Sequence, residues 1–123
     1  MSQILWKLFC DGASRGNPGP ASLGFVVYNE EGTPEIEHGE VLGTMTNNEA
    51  EYNALLNGVK LTCERFSKHH SGKMLFLSIF MDSELVVKQI NGQYRVKNER
   101  LKPLHQKIKG LLQPISYSIQ HIP

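Results

Sequence analysis

Two apolar segments of this 123-residue chain each run into an aspartate followed by a small residue, Leu8-Phe9-Cys10-Asp11-Gly12 and Ile79-Phe80-Met81-Asp82-Ser83. Between them lies an acid-bearing helix start, Thr46-Asn47-Asn48-Glu49-Ala50-Glu51. Carboxylates delivered in this way can converge on a divalent cation. Hard cations such as Mg²⁺ take oxygen ligands from a few carboxylates and keep the rest of their shell for water and substrate phosphate. In α/β proteins, sites are built at the carboxyl ends of strands. The pattern therefore points to metal-assisted phosphodiester chemistry.

The elements that must position these acids can be read from spacing. Ile4–Cys10 and Leu23–Tyr28 are predicted strands on either side of the turn-rich loop Gly16-Asn17-Pro18-Gly19-Pro20, and a third strand is expected within Ile36–Thr44. Thr46 with Glu49 makes a capping box, and Tyr52, Leu55, Leu56, Val59, Cys63 and Phe66 form an apolar stripe at helical spacing to about His69. A strand Leu75–Met81, a short helix from Ser83 to Ile90, a helix from Leu101 to Leu112 and a last strand Ile115–Gln120 follow. A meander followed by strand–helix alternation predicts an α/β fold, a mixed sheet flanked by helices, within a single domain over residues 1–123.

Composition sets the outer limits. A chain of this length buries roughly two thirds of its unfolded surface, enough for one core. Net charge is +1, so no global field recruits an acidic partner. Charge is uneven, however: residues 1–64 hold nine acids against three bases, while Lys88, Arg95, Lys97, Arg100, Lys102, Lys107 and Lys109 face Glu99 alone across 88–109. Such a strip suits a phosphate backbone, and equally a solvated helix face. No apolar run approaches the roughly 20 residues of a membrane span, and the start lacks the layout of a signal peptide. A cytoplasmic protein is expected. Cys10 and Cys63 lack metal-type spacing and read as reduced, buried small hydrophobes.

Each acid also has a purely structural explanation. Asp11-Gly12 fits a turn, and Asp82 fits the cap of the helix after it. The capping box accounts for Glu49 but leaves Glu51 without a duty. Both glutamates flank the apolar stripe, so periodicity alone does not choose between them.

Taken together, Asp11-Gly12-Ala13-Ser14-Arg15-Gly16-Asn17-Pro18-Gly19-Pro20, Thr46-Asn47-Asn48-Glu49-Ala50-Glu51-Tyr52 and Asp82-Ser83-Glu84-Leu85-Val86-Val87 resemble the type 1 ribonuclease H family. The stretch Gln89-Ile90-Asn91-Gly92-Gln93-Tyr94-Arg95-Val96-Lys97-Asn98 is similar to its compact branch, which lacks a basic protrusion. The resemblance implies a ribonuclease H-like five-stranded mixed sheet and an endonuclease that cuts the RNA strand of RNA–DNA hybrids. It implies that Asp11, Glu51 and Asp82 bind two Mg²⁺ ions, with Mn²⁺ as a substitute, and that His121 is a mobile histidine that helps product leave or shuttles protons. Gly12, Ser14, Asn17, Asn48 and Glu84 would line the minor groove, where 2′-hydroxyls mark RNA. Thr46 and Asn47 would hold the DNA strand. Nothing in the sequence implies an obligate protein partner.

One departure from the family pattern lies at the end. In relatives the His-x-Pro segment, here His121-Ile122-Pro123, leads into a helix carrying a fourth carboxylate. The sequence stops before it, which predicts that the C-terminal helix is absent and that one metal is held by fewer ligands. An alternative follows, a weak or inactive module that binds hybrid or double-stranded RNA without cutting it. An integrase-like nuclease acting on DNA shares the acids but not the Thr46-Asn47-Asn48 context.

Overall fold

The computed structural model describes residues 3–123. Strand β1 (Gln3–Ser14), β2 (Gly19–Tyr28) and β3 (Pro34–Met45) form the expected meander, followed by helix α1 (Asn47–His69), β4 (Met74–Met81), α2 (Glu84–Ile90), α3 (Lys102–Leu112) and β5 (Ser116–His121). The five strands lie in the order β3-β2-β1-β4-β5. Pairing is antiparallel within the meander and parallel for β1–β4 and β4–β5. The mixed sheet expected from the alternation of elements is present, with element ends within a few residues of those read from spacing.

One boundary differs in a way that matters. β1 does not end at Cys10; it continues through Asp11 to Ser14. Its parallel ladder with β4 ends at Phe9↔Phe80, while its antiparallel ladder with β2 runs on to Ser14↔Ala21. Asp11 therefore stands in a continuous strand rather than a turn, just where β4 has given way to Asp82. The split between β1 and β4 brings the two aspartates together.

The core lies on one face of the sheet. Trp6, Leu8, Cys10, Leu23, Phe25, Val27, Leu77, Ile79 and Met81 alternate inward and pack against Tyr52, Leu55, Val59, Ile90 and Ile108 from the helices. Burial of so many large side chains, at roughly 1.5–3 kcal/mol each, is what holds the helices on the sheet. The buried face of α1 differs from the predicted stripe: Ala50, Glu51, Ala54, Gly58 and Thr62 belong to it, whereas Leu56 and Cys63 are only half-buried. The small residues let α1 approach closely. A Cβ at Gly58 would lie 2.9 Å from Leu8 Cδ1. Cys10 is buried and Cys63 half-buried, and both are free thiols.

Candidate active site

Three elements deliver the acids. Asp11 comes from β1, Asp82 from the residue after β4, and Glu51 from the first turns of α1, and each offers an oxygen within 4.8 Å of the others. The close approach that makes this possible is set at Gly12, where a Cβ would fall 2.2 Å from the Ala50 carbonyl oxygen. Only glycine lets the start of α1 lie against β1 here. Its N–H then donates to Glu51 Oε1 at 2.6 Å, fixing that carboxylate in the cluster.

Glu51 is 4% exposed, and its second oxygen, Oε2, is buried without a hydrogen-bond partner among the described residues. An orphaned buried carboxylate oxygen is costly. Burial, then the adjoining Asp11 carboxyl, then the charge of Asp82 push the Glu51 carboxyl up to about 8, against the pull of the Gly12 N–H. Asp82 is raised as well, by desolvation first and by the Asp11 charge next, with His121 opposing. A cation would relieve all of these costs at once. The donor set, hard oxygen from three carboxylates with one lone pair waiting, fits a divalent ion of the Mg²⁺ type.

Glu49, the other candidate, is elsewhere engaged. Its Oε1 accepts from the Thr46 N–H at 3.0 Å while Thr46 Oγ1 accepts from the Glu49 N–H at 3.1 Å, and Arg100 stands 3.8 Å away. The structure thus separates two residues that periodicity left equivalent. Asp82 is not a helix cap; Ser83 caps α2, its hydroxyl accepting from the Val86 N–H.

Most of the remaining predicted residues gather beside the acids. Asn47 Oδ1 accepts from the Ser14 N–H at 3.0 Å, Asn17 Oδ1 accepts from the Asn47 N–H at 2.9 Å, and Ser14 Oγ donates to the Gly16 carbonyl. Ser14, Asn17 and Asn47 are knitted into one shelf joining the β1–β2 loop to the start of α1, with Asn48 exposed next to it. Glu84 stands apart: it is exposed and paired with Lys88 at 2.6 Å. His121 ends β5 opposite Met81, and its Nε2 lies 3.1 Å from the Asp82 carbonyl oxygen. A carbonyl only accepts, so Nε2 carries the proton in that contact. An open cleft of about 930 Å³, floored by Phe9 and Phe80, leads away from Asp11 and Asp82.

The predicted basic strip is not one uncompensated face. Lys88 pairs with Glu84, Lys102 with Glu99, and Lys109 donates to the Ile90 carbonyl and the Tyr117 hydroxyl. Sequence reasoning also passed over Gln89, which α2 buries and which joins three elements.

The reverse transcriptase-like family model matches residues 9–123. The chain is 34% identical over 116 residues to ribonuclease HI of Halobacterium salinarum, covering 94% of this chain and 55% of that protein. Among solved structures, the N-terminal RNase H domain of Rv2228c from Mycobacterium tuberculosis is 32% identical, with a TM-score of 0.85 over 98% of this chain and 88% of the other. LC11-RNase H1, solved in complex with an RNA/DNA hybrid, is 34% identical, with a TM-score of 0.85 over 96% of this chain and 85% of the other. The chain spans about half the length of the halobacterial relative and 26% of the full mycobacterial protein. No helix among the described residues is long and apolar enough to cross a membrane.

Proposed function

We propose that this chain, which belongs to the type 1 ribonuclease H family, is a single-domain cytoplasmic endonuclease that hydrolyses the RNA strand of RNA–DNA hybrids. The observation that carries the reading is the buried, unpartnered Oε2 of Glu51 within a cluster of carboxylates. A fold has little reason to bury such a group except to bind a cation there. Asp11, Glu51 and Asp82 would hold Mg²⁺, two ions by the family pattern, which supply an activated water and stabilise charge on the scissile phosphate.

The chain's own groups do the rest. Gly12 orients Glu51 through its N–H. The Ser14–Asn17–Asn47 shelf, with Thr46 fixed as the helix cap, presents polar groups of preset geometry, the arrangement that reads 2′-hydroxyls and backbone in a minor groove. Asn48 lies exposed beside it, and Glu84, paired with Lys88 at the start of α2, would reach the substrate from there. His121, anchored through Nε2, would keep Nδ1 as the atom that hands a proton on. The non-cutting alternative is not favoured, because the matching relatives include proteins named as ribonuclease H.

Incubation with a labelled RNA–DNA hybrid tests the reading: cleavage of the RNA strand in Mg²⁺, none with chelator, and none for a DNA duplex of the same sequence. Cleavage that survives chelation, or equal cutting of the DNA duplex, would refute it.

A further inference from the structure

The carboxylate triangle has three sides, and two of them are set by contacts already described. Gly12 joins Asp11 to Glu51, through the close approach of β1 and α1 and through its own N–H. The β1–β4 ladder, ending at Phe9↔Phe80, joins Asp11 to Asp82. The third side runs from Glu51 on α1 to Asp82, which leads into α2. β5 and the residue after it hold the Asp82 end from the far side, where the Ile122 N–H donates to the Met81 carbonyl at 2.8 Å and His121 Nε2 meets the Asp82 carbonyl. Neither bond reaches α1.

Among the described residues one side-chain hydrogen bond joins α1 to α2: the Tyr52 hydroxyl donates to Gln89 Oε1 at 2.5 Å. Tyr52 is the residue after Glu51 and is fully buried, and Gln89 is 6% exposed. The other end of the amide settles its orientation. Gln89 Nε2 lies 3.2 Å from the Arg95 carbonyl, which only accepts, so Oε1 faces the phenol. Val86, Val87 and Ile90 hold α2 on the core, but apolar burial is non-directional and leaves a short helix room to slide or turn. A hydrogen bond has a preferred distance and angle, so this one fixes where α2 lies along α1. Two apolar side chains could fill the same space without the cost of burying a hydroxyl and an amide.

We propose that Tyr52 and Gln89 form a brace between α1 and α2 that sets the separation of Glu51 from Asp82, which makes both of them positioning residues for the cation site. The inference rests on the reading of the three carboxylates as a metal site. α2 has seven residues and spans about 10 Å, short enough for a bond in its last turn to govern its first, and Asp82 stands one residue before its N-cap, Ser83. Ligands held at a fixed separation take up a cation without first being reorganised, so the brace acts on metal affinity and not on stability alone.

Isothermal titration of metal-free protein with Mn²⁺ tests the brace without hybrid or cleavage. Tyr52→Phe keeps the ring and removes the hydroxyl. It is expected to weaken Mn²⁺ binding about tenfold, as loss of a group that orients metal ligands does, and in the cleavage assay to raise the Mg²⁺ needed for half-maximal rate by a similar factor with KM for hybrid unchanged. The double variant Tyr52→Phe, Gln89→Met also removes the amide oxygen that the single variant leaves unpaired. It is expected to regain most of the lost Tm while its Mn²⁺ binding stays weak, and it carries the test if the single variant does not fold. Either variant binding Mn²⁺ as tightly as wild type overturns the brace, whatever its Tm. Wild-type protein without Mn²⁺ binding that Asp82→Asn removes overturns the brace together with the metal site. Weakened Mn²⁺ binding in the variants, alongside wild-type protein that never cleaves hybrid, refutes the nuclease reading and leaves the brace standing.

Discussion

Replacing Glu51 with Gln in metal-free protein should change stability in a direction and by an amount that the site itself dictates. The Glu51 carboxyl titrates at about 8 in the folded chain and returns to 4.5 when unfolded. Between those values the folded state binds more protons than the unfolded one, so stability falls as pH rises and levels off above about 8. A shift of this size is at most about 5 kcal/mol, and solvent at the exposed Asp11 and Asp82 screens it to about 3 kcal/mol. For a domain of this length, that is a loss of about 12 °C in Tm.

The amide of the variant keeps an oxygen for the Gly12 N–H and sets a donor against Asp11 in place of a second negative charge. Thermal unfolding followed by circular dichroism in EDTA from pH 5 to pH 9 reads the difference. Wild-type Tm should drop across the interval relative to Glu51→Gln, and the variant should be the more stable protein at pH 9 by about 10 °C. Two curves that run parallel, or a variant that melts lower at pH 9, would refute the account of Glu51 as a buried, proton-hungry carboxylate.

Further outcomes follow from the same geometry. Asp11→Asn and Asp82→Asn should each lower Mg²⁺-dependent hybrid cleavage by about a thousandfold or more while keeping hybrid binding, whereas Glu49→Gln, whose side chain still closes the capping box, should keep wild-type activity in the same gel assay. Gly12→Ala puts a Cβ 2.2 Å from the Ala50 carbonyl oxygen, so α1 must shift at a cost of at least about 3 kcal/mol, read as a drop of about 12 °C in Tm; a loss of only a few degrees would mean that the helix start is not held where the site requires it. Adding Mg²⁺ to metal-free protein at pH 8 should raise Tm with a concentration dependence that Asp82→Asn abolishes.

The order of elements was legible because each local signal was strong: the capping box at Thr46 and Glu49, the Gly-Asn-Pro-Gly turn, and apolar alternation in β4. The length of β1 was not. Asp11-Gly12 has the composition of a turn, and local chemistry could not reveal that β2 would extend the strand to Ser14 while β4 withdrew at Phe80. The strand boundary was decided by pairing partners distant in the chain, which single-residue propensity does not see. Gln89 escaped for a related reason. A glutamine in an amphipathic helix reads as solvent-facing until the elements that bury it, α1 and the loop at Arg95, are in place.

The choice between Glu49 and Glu51 shows what a closer reading could have used. Counting only large apolar residues puts both acids at the margin of the α1 stripe. Ala54, Gly58 and Thr62 stand three, seven and eleven residues after Glu51, on a helix whose turn is about 3.6 residues, so they share its face. That line of small residues is the part of α1 that presses closest to β1, with Gly12 opposite its start and Leu8 opposite Gly58. Small residues on a helix mark close approach, and an acid placed in line with them is carried into the interior with them. Glu51 is drawn beside Asp11 by the packing that Ala54 and Gly58 permit, so the sheet contact that stabilises the fold and the carboxylate cluster that destabilises it arise from one helix face.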